Sequence, residues 1–411
     1  MPDNLSSVCV DTIVEKCLKT YEQLPKKGKP ADDEWTVLSC IVKYETEHDT
    51  IEVLSLGTGS KCIGATKMSP LGDLLNDSHA EVFARRGLIH YLFQNIEKAT
   101  NNLDSIFIKT DGKLKLKDSI EFIFYSSQLP CGDASIIPKN GEEKEDHFGD
   151  LIKVKRKADD SDCVHDTKKL KLSDIHRTGA KCLSNAEQDL KIPGKDYHVL
   201  GQVRTKPGRG DRTLSVSCSD KIARWVHLGI HGALLDLICE PVCIKHFIFG
   251  ASVPYCEESL NRAILKRSNE FNNTRAPKFY QSSITFSDIK SEGKYRPAPG
   301  SIVWINLTNP ILEVAVQGRK LGLTKKGKSI SPDASLIISK YNIYKTFLKL
   351  LNRNKELKVS IFGNESIENI PYNKMKIKSK QYRDRWENLK EKFFRIWTVK
   401  ADMWDFCVKI L

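Results

Sequence analysis

Apolar residues recur along this chain in two periods. Val8–Leu24 carries them at helical spacing, which predicts an amphipathic N-terminal helix. Trp35–Tyr44 and Ile51–Leu56 read as a strand pair, the second running into the turn Gly57-Thr58-Gly59. Asn76-Asp77-Ser78 supplies three cap-forming residues ahead of a long helix predicted over His79–Ala99. Ser119–Ser127, with the run Phe122-Ile123-Phe124-Tyr125, fits a buried strand that ends at Pro130-Cys131-Gly132, where another helix is expected. Further on, the pattern predicts helices over Asp220–Leu237, Glu257–Phe271, Ala334–Leu351 and Gln381–Trp397, and strands over Cys243–Phe249, Ser301–Asn306 and Ile311–Val316. No internal repeat is visible. Strands alternating with helices predict an α/β fold, a central sheet with helices on both faces. Residues 139–195 break the pattern: rich in Lys, Asp, Glu and Gly and poor in aromatics, they read as a charged, flexible insertion.

Composition narrows the picture. With 411 residues, 40% hydrophobic and 28% charged, the chain can bury a large core, and it is read as one domain spanning 1–411 with the insertion inside it. Met1–Cys17 lacks a basic patch ahead of an apolar run, so no signal peptide is expected. The longest apolar stretch, Trp225–Cys239, is interrupted by His227, His231 and Asp236, so no membrane span is expected. Twelve cysteines scattered over the chain read as reduced thiols, a minority of them candidate metal ligands. A formal charge of +13 points to a polyanionic partner, nucleic acid foremost, or to a solvated basic surface.

Three short motifs carry candidate chemistry. His79-Ala80-Glu81 puts a neutral-nitrogen metal ligand beside a carboxylate able to shuttle protons, and at the first turn of a helix the two can flank one metal. Pro130-Cys131-Gly132 follows a buried strand. Zinc deaminases combine H-x-E on one helix with P-C-x-x-C at the next, but position 134 here is Ala. The best third ligand is Cys218, 87 residues beyond Cys131 in Ser217-Cys218-Ser219-Asp220-Lys221, at a helix start that favours thiolate. Three other patterns carry less. Cys239 and Cys243 lie in apolar sequence and read as buried thiols, Gly57-Thr58-Gly59 lacks the third glycine of a nucleotide loop, and His227 and His231 have no acidic or cysteine partner to complete a site.

These pieces, with Leu56–Ile63, Arg177-Thr178-Gly179-Ala180-Lys181-Cys182 and Ser217–Trp225, resemble the adenosine deaminase domain shared by double-stranded-RNA and tRNA-specific adenosine deaminases. Val203–Arg212 looks most like the tRNA-specific branch. The resemblance implies a cytidine-deaminase-like three-layer α/β/α core with a mixed central sheet, elaborated by the insertion and C-terminal helices. It implies zinc held by His79, Cys131 and Cys218, with Glu81 taking a proton from water and returning one to the departing nitrogen as adenosine becomes inosine. The implied substrate is the adenosine just 3′ of the anticodon in alanine tRNA, with Lys61, Lys206 and Arg209 as candidate RNA-backbone contacts. The implied alternatives are editing of double-stranded RNA, a non-catalytic RNA-binding homologue, and a free-nucleoside deaminase. Because no separate double-stranded-RNA-binding segment is read ahead of His79, the tRNA substrate is preferred.

The family also buries inositol hexakisphosphate. Matching positions are Asn76, Arg85, Arg86, Lys221, Arg224, Trp225, Lys340, Tyr372, Lys376, Tyr382, Trp397 and Lys400. So many cations cannot be buried without a polyanion. Trp386 stands where the editing branch has lysine, and the Lys374–Lys380 run alone would read as a solvated helix edge. Inside the insertion, Lys153–Lys157 and Lys168–Lys171 resemble a bipartite nuclear-import signal or a charged loop, so a nuclear or cytoplasmic location is expected, with no membrane and no obligate protein partner.

Overall fold

The computed structural model describes residues 5, 7–110, 112–139, 174–208, 210–267, 276–323, 331–399 and 401–409. Its centre is an eight-stranded sheet built from β1 (Leu38–Glu45), β2 (Thr50–Thr58), β3 (Ile120–Ser126), β4 (Ile244–Phe249), β5 (Lys278–Gln281), β6 (Gly300–Ile305), β7 (Ile311–Val316) and β8 (Arg319–Lys320). The strand order is β5-β4-β3-β1-β2-β6-β7-β8. β3, β4 and β5 run parallel, while β3–β1, β1–β2, β2–β6, β6–β7 and β7–β8 pair antiparallel. The sheet is therefore mixed.

Period-two alternation feeds both faces of this sheet. Leu38, Cys40 and Val42 of β1, Ile123 and Tyr125 of β3 and Ile248 of β4 pack with Val10, Ile13, Val14 and Cys17 of helix α1 (Ser7–Glu22). The intervening Ile41, Phe122, Phe124, Phe247 and Phe249 turn to the opposite face. There they meet α2 (Ala80–Thr100) and α3 (Cys218–Leu228). The three layers of the expected α/β/α fold follow from that alternation. Helix α2 crosses β1, β2 and β6 and is buried on most of its circumference. Fully buried side chains such as Phe83, Leu88 and Leu92 each contribute about 1.5–3 kcal/mol. Helices α4 (Lys340–Arg353), α5 (Lys355–Phe362), α6 (Tyr372–Ile377) and α7 (Lys380–Leu389) extend the α2–α3 side.

Several expected elements change length. The helix expected over Asp220–Leu237 ends at Leu228, because Gly229 and Gly232 adopt φ of 93° and 79°, and only the turn Ala233–Asp236 follows. No α-helix starts at Pro130; a 3₁₀ turn spans Asp133–Ser135 instead. Helix α2 is capped by His79, while Asp77–His79 forms a short strand paired with Ser60–Cys62. Within the 139–195 segment, Ile175–His176 pairs with Ile137–Pro138 and Lys181–Cys182 with Arg204–Thr205, so paired backbone resumes earlier than composition suggests. Both basic clusters of the import reading lie outside the described residues. Among the described residues, no helix is long and apolar enough to cross a membrane and no cysteine is in a disulfide.

Candidate metal and catalytic site

His79 stands at the junction of a strand and a helix. Asp77 Oδ1 accepts from its backbone N–H at 3.0 Å, and its neighbour Ala80 opens α2. Gly57 of β2 lets that junction sit tightly on the sheet: a Cβ there would lie 2.4 Å from Ala80 O and 2.6 Å from Ala84 N. Cys131 lies five residues past the end of β3, and Cys218 is the first residue of α3. Ser217 caps that helix, its Oγ accepting from Asp220 N at 3.2 Å.

These elements converge. His79 Nδ1 is 3.9 Å from Cys131 Sγ and 3.6 Å from Cys218 Sγ. The Cys218 N–H donates to Cys131 Sγ at 3.3 Å. Gly132 permits the approach with φ 108°, since a Cβ would meet Ser217 Oγ at 2.3 Å. The three donor atoms lie within 4.8 Å of one another, a one-histidine, two-thiolate set suited to a soft divalent metal. The hydrogen bond between the two cysteine side chains, with the Lys206 ammonium and His79, outweighs burial and holds the Cys131 thiol well below its usual range, which favours the thiolate. Glu81, in the first turn of α2, is 3% exposed, and its Oε2 has no hydrogen-bond partner among the described residues. A buried, unsatisfied carboxylate oxygen beside a metal-ligand cluster is free to take a proton from a reactant.

Lys206 departs from expectation. It is only 2% exposed, and its Nζ donates to Cys218 Sγ at 2.9 Å and to Asp77 Oδ1 at 3.0 Å. It lies against Asp77 and the thiols rather than on the surface, where the RNA-backbone contact was expected. The sequence offered no burial signal here, because a lysine two residues before a glycine reads as solvated loop. Asp77 also pairs with Lys221. Burial opposes the Asp77 charge, but these two ammoniums outweigh it and hold the carboxyl well below the usual range. Lys61 lies at the rim, its register partner Ser78 adjoining His79. The loop after Lys206 is pinned by Asp211, whose Oδ2 accepts from Thr66 N at 3.0 Å. Arg209 lies outside the described residues.

On the other side of Asp77 is a cavity of about 290 Å³. It is lined by Asn76 ahead of α2, by Arg85 and Arg86 of α2, and by Lys221, Arg224 and Trp225 of α3. Lys340, Tyr372, Lys376 and Tyr382 of the C-terminal helices close it, with Trp397 beyond them. Lys400 lies outside the described residues. The described lining holds six lysines and arginines against one carboxylate, Asp77. Burial pushes Lys376 down to about 8 and Arg86 down to about 10, and Arg86 Nη2 has no hydrogen-bond partner among the described residues. Trp386 backs Arg224, whose guanidinium lies 3.8 Å from the ring centroid. Lys221 faces both places, lining the cavity and pairing with the Asp77 that holds Lys206.

His227 and His231 are held by contacts within the fold. His227 Nε2 bonds Ile264 O at 2.9 Å and His231 pairs with Asp236. Burial pushes the Cys239 thiol up.

Comparison with known proteins matches residues 55–401 to the adenosine-deaminase (editase) domain. The chain is 38% identical to tRNA-specific adenosine deaminase 1 of Drosophila melanogaster, over 97% of this chain and 96% of that protein. It is 32% identical to tRNA-specific adenosine deaminase 1 of Homo sapiens, over 94% and 97% of the two chains. Identity to the double-stranded RNA-specific editase Adar of Drosophila melanogaster is 30%, over 79% of this chain and 45% of that one.

Proposed function

Because the chain belongs to the adenosine-deaminase (editase) domain family, we propose that it deaminates adenosine to inosine in tRNA. The observation that carries this reading is the convergence of His79, Cys131 and Cys218 beside the unsatisfied Glu81 carboxylate. Near-complete coverage of tRNA-specific relatives supports tRNA over duplex RNA. The target we propose within tRNA is the adenosine just 3′ of the anticodon of alanine tRNA, the position the resemblance implies.

The donor set fits zinc: two sulfurs, that of Cys218 buried and that of Cys131 half-buried, and one imidazole nitrogen. Zinc held by these three residues would supply the Lewis acidity that makes water nucleophilic near neutral pH. Glu81 Oε2 takes a proton from the attacking water as its oxygen adds to C6 of adenine. The same carboxylate then delivers a proton to N6, so that the C6–N6 bond breaks and ammonia leaves. Lys206 donates to Cys218 Sγ, and would temper the charge of that sulfur when it holds zinc. The adenosine reaches the site only when flipped out of its stack.

For the cavity we propose inositol hexakisphosphate, held by Arg85, Arg86, Lys221, Arg224, Lys340 and Lys376. The cation excess and the unsatisfied Arg86 Nη2 fit a buried polyanion and would otherwise be costly. Incubating the purified protein with tRNA and, separately, with long duplex RNA tests the substrate: inosine in tRNA supports the proposal, and inosine only in the duplex overturns it.

A further inference from the structure

We propose that Asp189 is a positioning residue that braces both cysteine segments of the metal centre; the inference rests on the zinc reading above. Its side chain is 9% exposed, and two chains of hydrogen bonds leave it. In the first, Asp189 Oδ2 accepts from His198 Nδ1 at 2.9 Å. That bond fixes the proton on Nδ1 and leaves Nε2 to accept from the Thr178 N–H at 3.3 Å. Thr178 Oγ1 in turn accepts from the N–H of Gly132, at 3.3 Å, the residue that follows Cys131.

The second chain runs through Arg204, a fully buried guanidinium. Its Nη1 and Nη2 each donate to an Asp189 oxygen at 2.7 Å. The Arg204 backbone is a clamp: its N–H donates to Asp220 Oδ2 at 2.9 Å, and its carbonyl accepts from Ser217 N at 2.7 Å. Ser217 immediately precedes Cys218. One carboxylate thus sets the position of Cys131 through His198 and Thr178, and of Cys218 through Arg204. It touches neither sulfur, so it acts only through the backbone that carries them. Removing such outer supports lowers metal affinity about 10–100-fold.

The experiment measures zinc retention by the full-length protein against a competing chelator, for wild type, Asp189→Asn and Thr178→Val. Melting temperature alone would not discriminate, because a purely structural carboxylate lowers it while the folded fraction keeps its zinc. Zinc affinity about 10–100-fold weaker in Asp189→Asn is expected, with a smaller loss in Thr178→Val, which cuts only the first chain. If Asp189→Asn does not fold, Thr178→Val decides by itself, since its half-buried hydroxyl accepts, among the described residues, only from the N–H groups of Gly132 and Ala180. Wild-type zinc retention in the folded variants overturns the proposal. A wild-type chain that binds no zinc overturns instead the metal reading beneath it.

Discussion

At Lys206 one ammonium meets a sulfur, a carboxylate and a fully buried setting, and that combination decides what the residue can do. Burial disfavours its charge, but Asp77, Cys218 and Cys131 outweigh that and raise its pKa well above the usual value. Lys206→Met would leave Asp77 with Lys221 alone and strip Cys218 of its donor. The expected outcome is at least a tenfold fall in kcat with KM for tRNA unchanged, measured by steady-state kinetics. A raised KM with unchanged kcat would return Lys206 to the RNA surface. The grouping of His79, Cys131 and Cys218 was legible because H-x-E and a helix-opening cysteine have chemical signatures that survive in one dimension. Lys206 was not, because nothing in Arg204-Thr205-Lys206-Pro207 marks which cation is buried. The same holds for Asp189, whose importance depends on an arginine 15 residues away in sequence.

Among the elements, the close approaches are made by glycine. Gly57 carries the start of α2 against β2, with the backbone of Ala80 and Ala84 where a side chain would be. Gly57→Ala must push that backbone away from the sheet, and a loss of about 2 kcal/mol or more is expected from denaturant unfolding. An unchanged midpoint would mean that α2 is not held where it is described. Alternation made the strands and the buried faces readable, and β3, β6 and β7 fall within a residue or so of their expected ends. Helix lengths were less readable. Val226, Leu228, Ile230, Leu234 and Leu235 continue an apolar pattern through Gly229 and Gly232, and only the positive φ at both glycines ends α3. The turn after Pro130 failed as a helix for a tertiary reason: Cys131 and Gly132 bend toward the cap of α3, with the Ser219 N–H donating to Cys131 O at 3.0 Å.

For the molecule as a whole, acid should act through buried neutral histidines. Burial pushes His90 down to about 4, although its bond to Ile337 O pulls the other way. The unfolded chain, with an ordinary value near 6.5, binds the extra proton between these limits. Stability therefore falls as pH drops from about 6.5 toward 4, by on the order of 3 kcal/mol for this group. Urea midpoints between pH 7.5 and 5 check the sign; a midpoint that rises on acidification would contradict it. The cation-lined cavity adds a second whole-molecule dependence. Protein produced without inositol phosphates should melt lower and recover on addition of inositol hexakisphosphate, whereas equal stability would remove the polyanion from the account. The charge excess behind it was visible in sequence, but the enclosure was not, since its walls come from residues 74 to 398.

In the proposed reaction Glu81, beside the His79–Cys131–Cys218 group, moves the protons as adenosine in tRNA is deaminated. Inosine formed in total tRNA by wild type and by Glu81→Gln carrying equal zinc, read by mass spectrometry of the nucleosides, tests this. Inosine is expected from wild type, at a rate about 10²–10⁴-fold above that of the variant, with zinc content retained. Equal rates from the two proteins, or no inosine from zinc-loaded wild type, would contradict it.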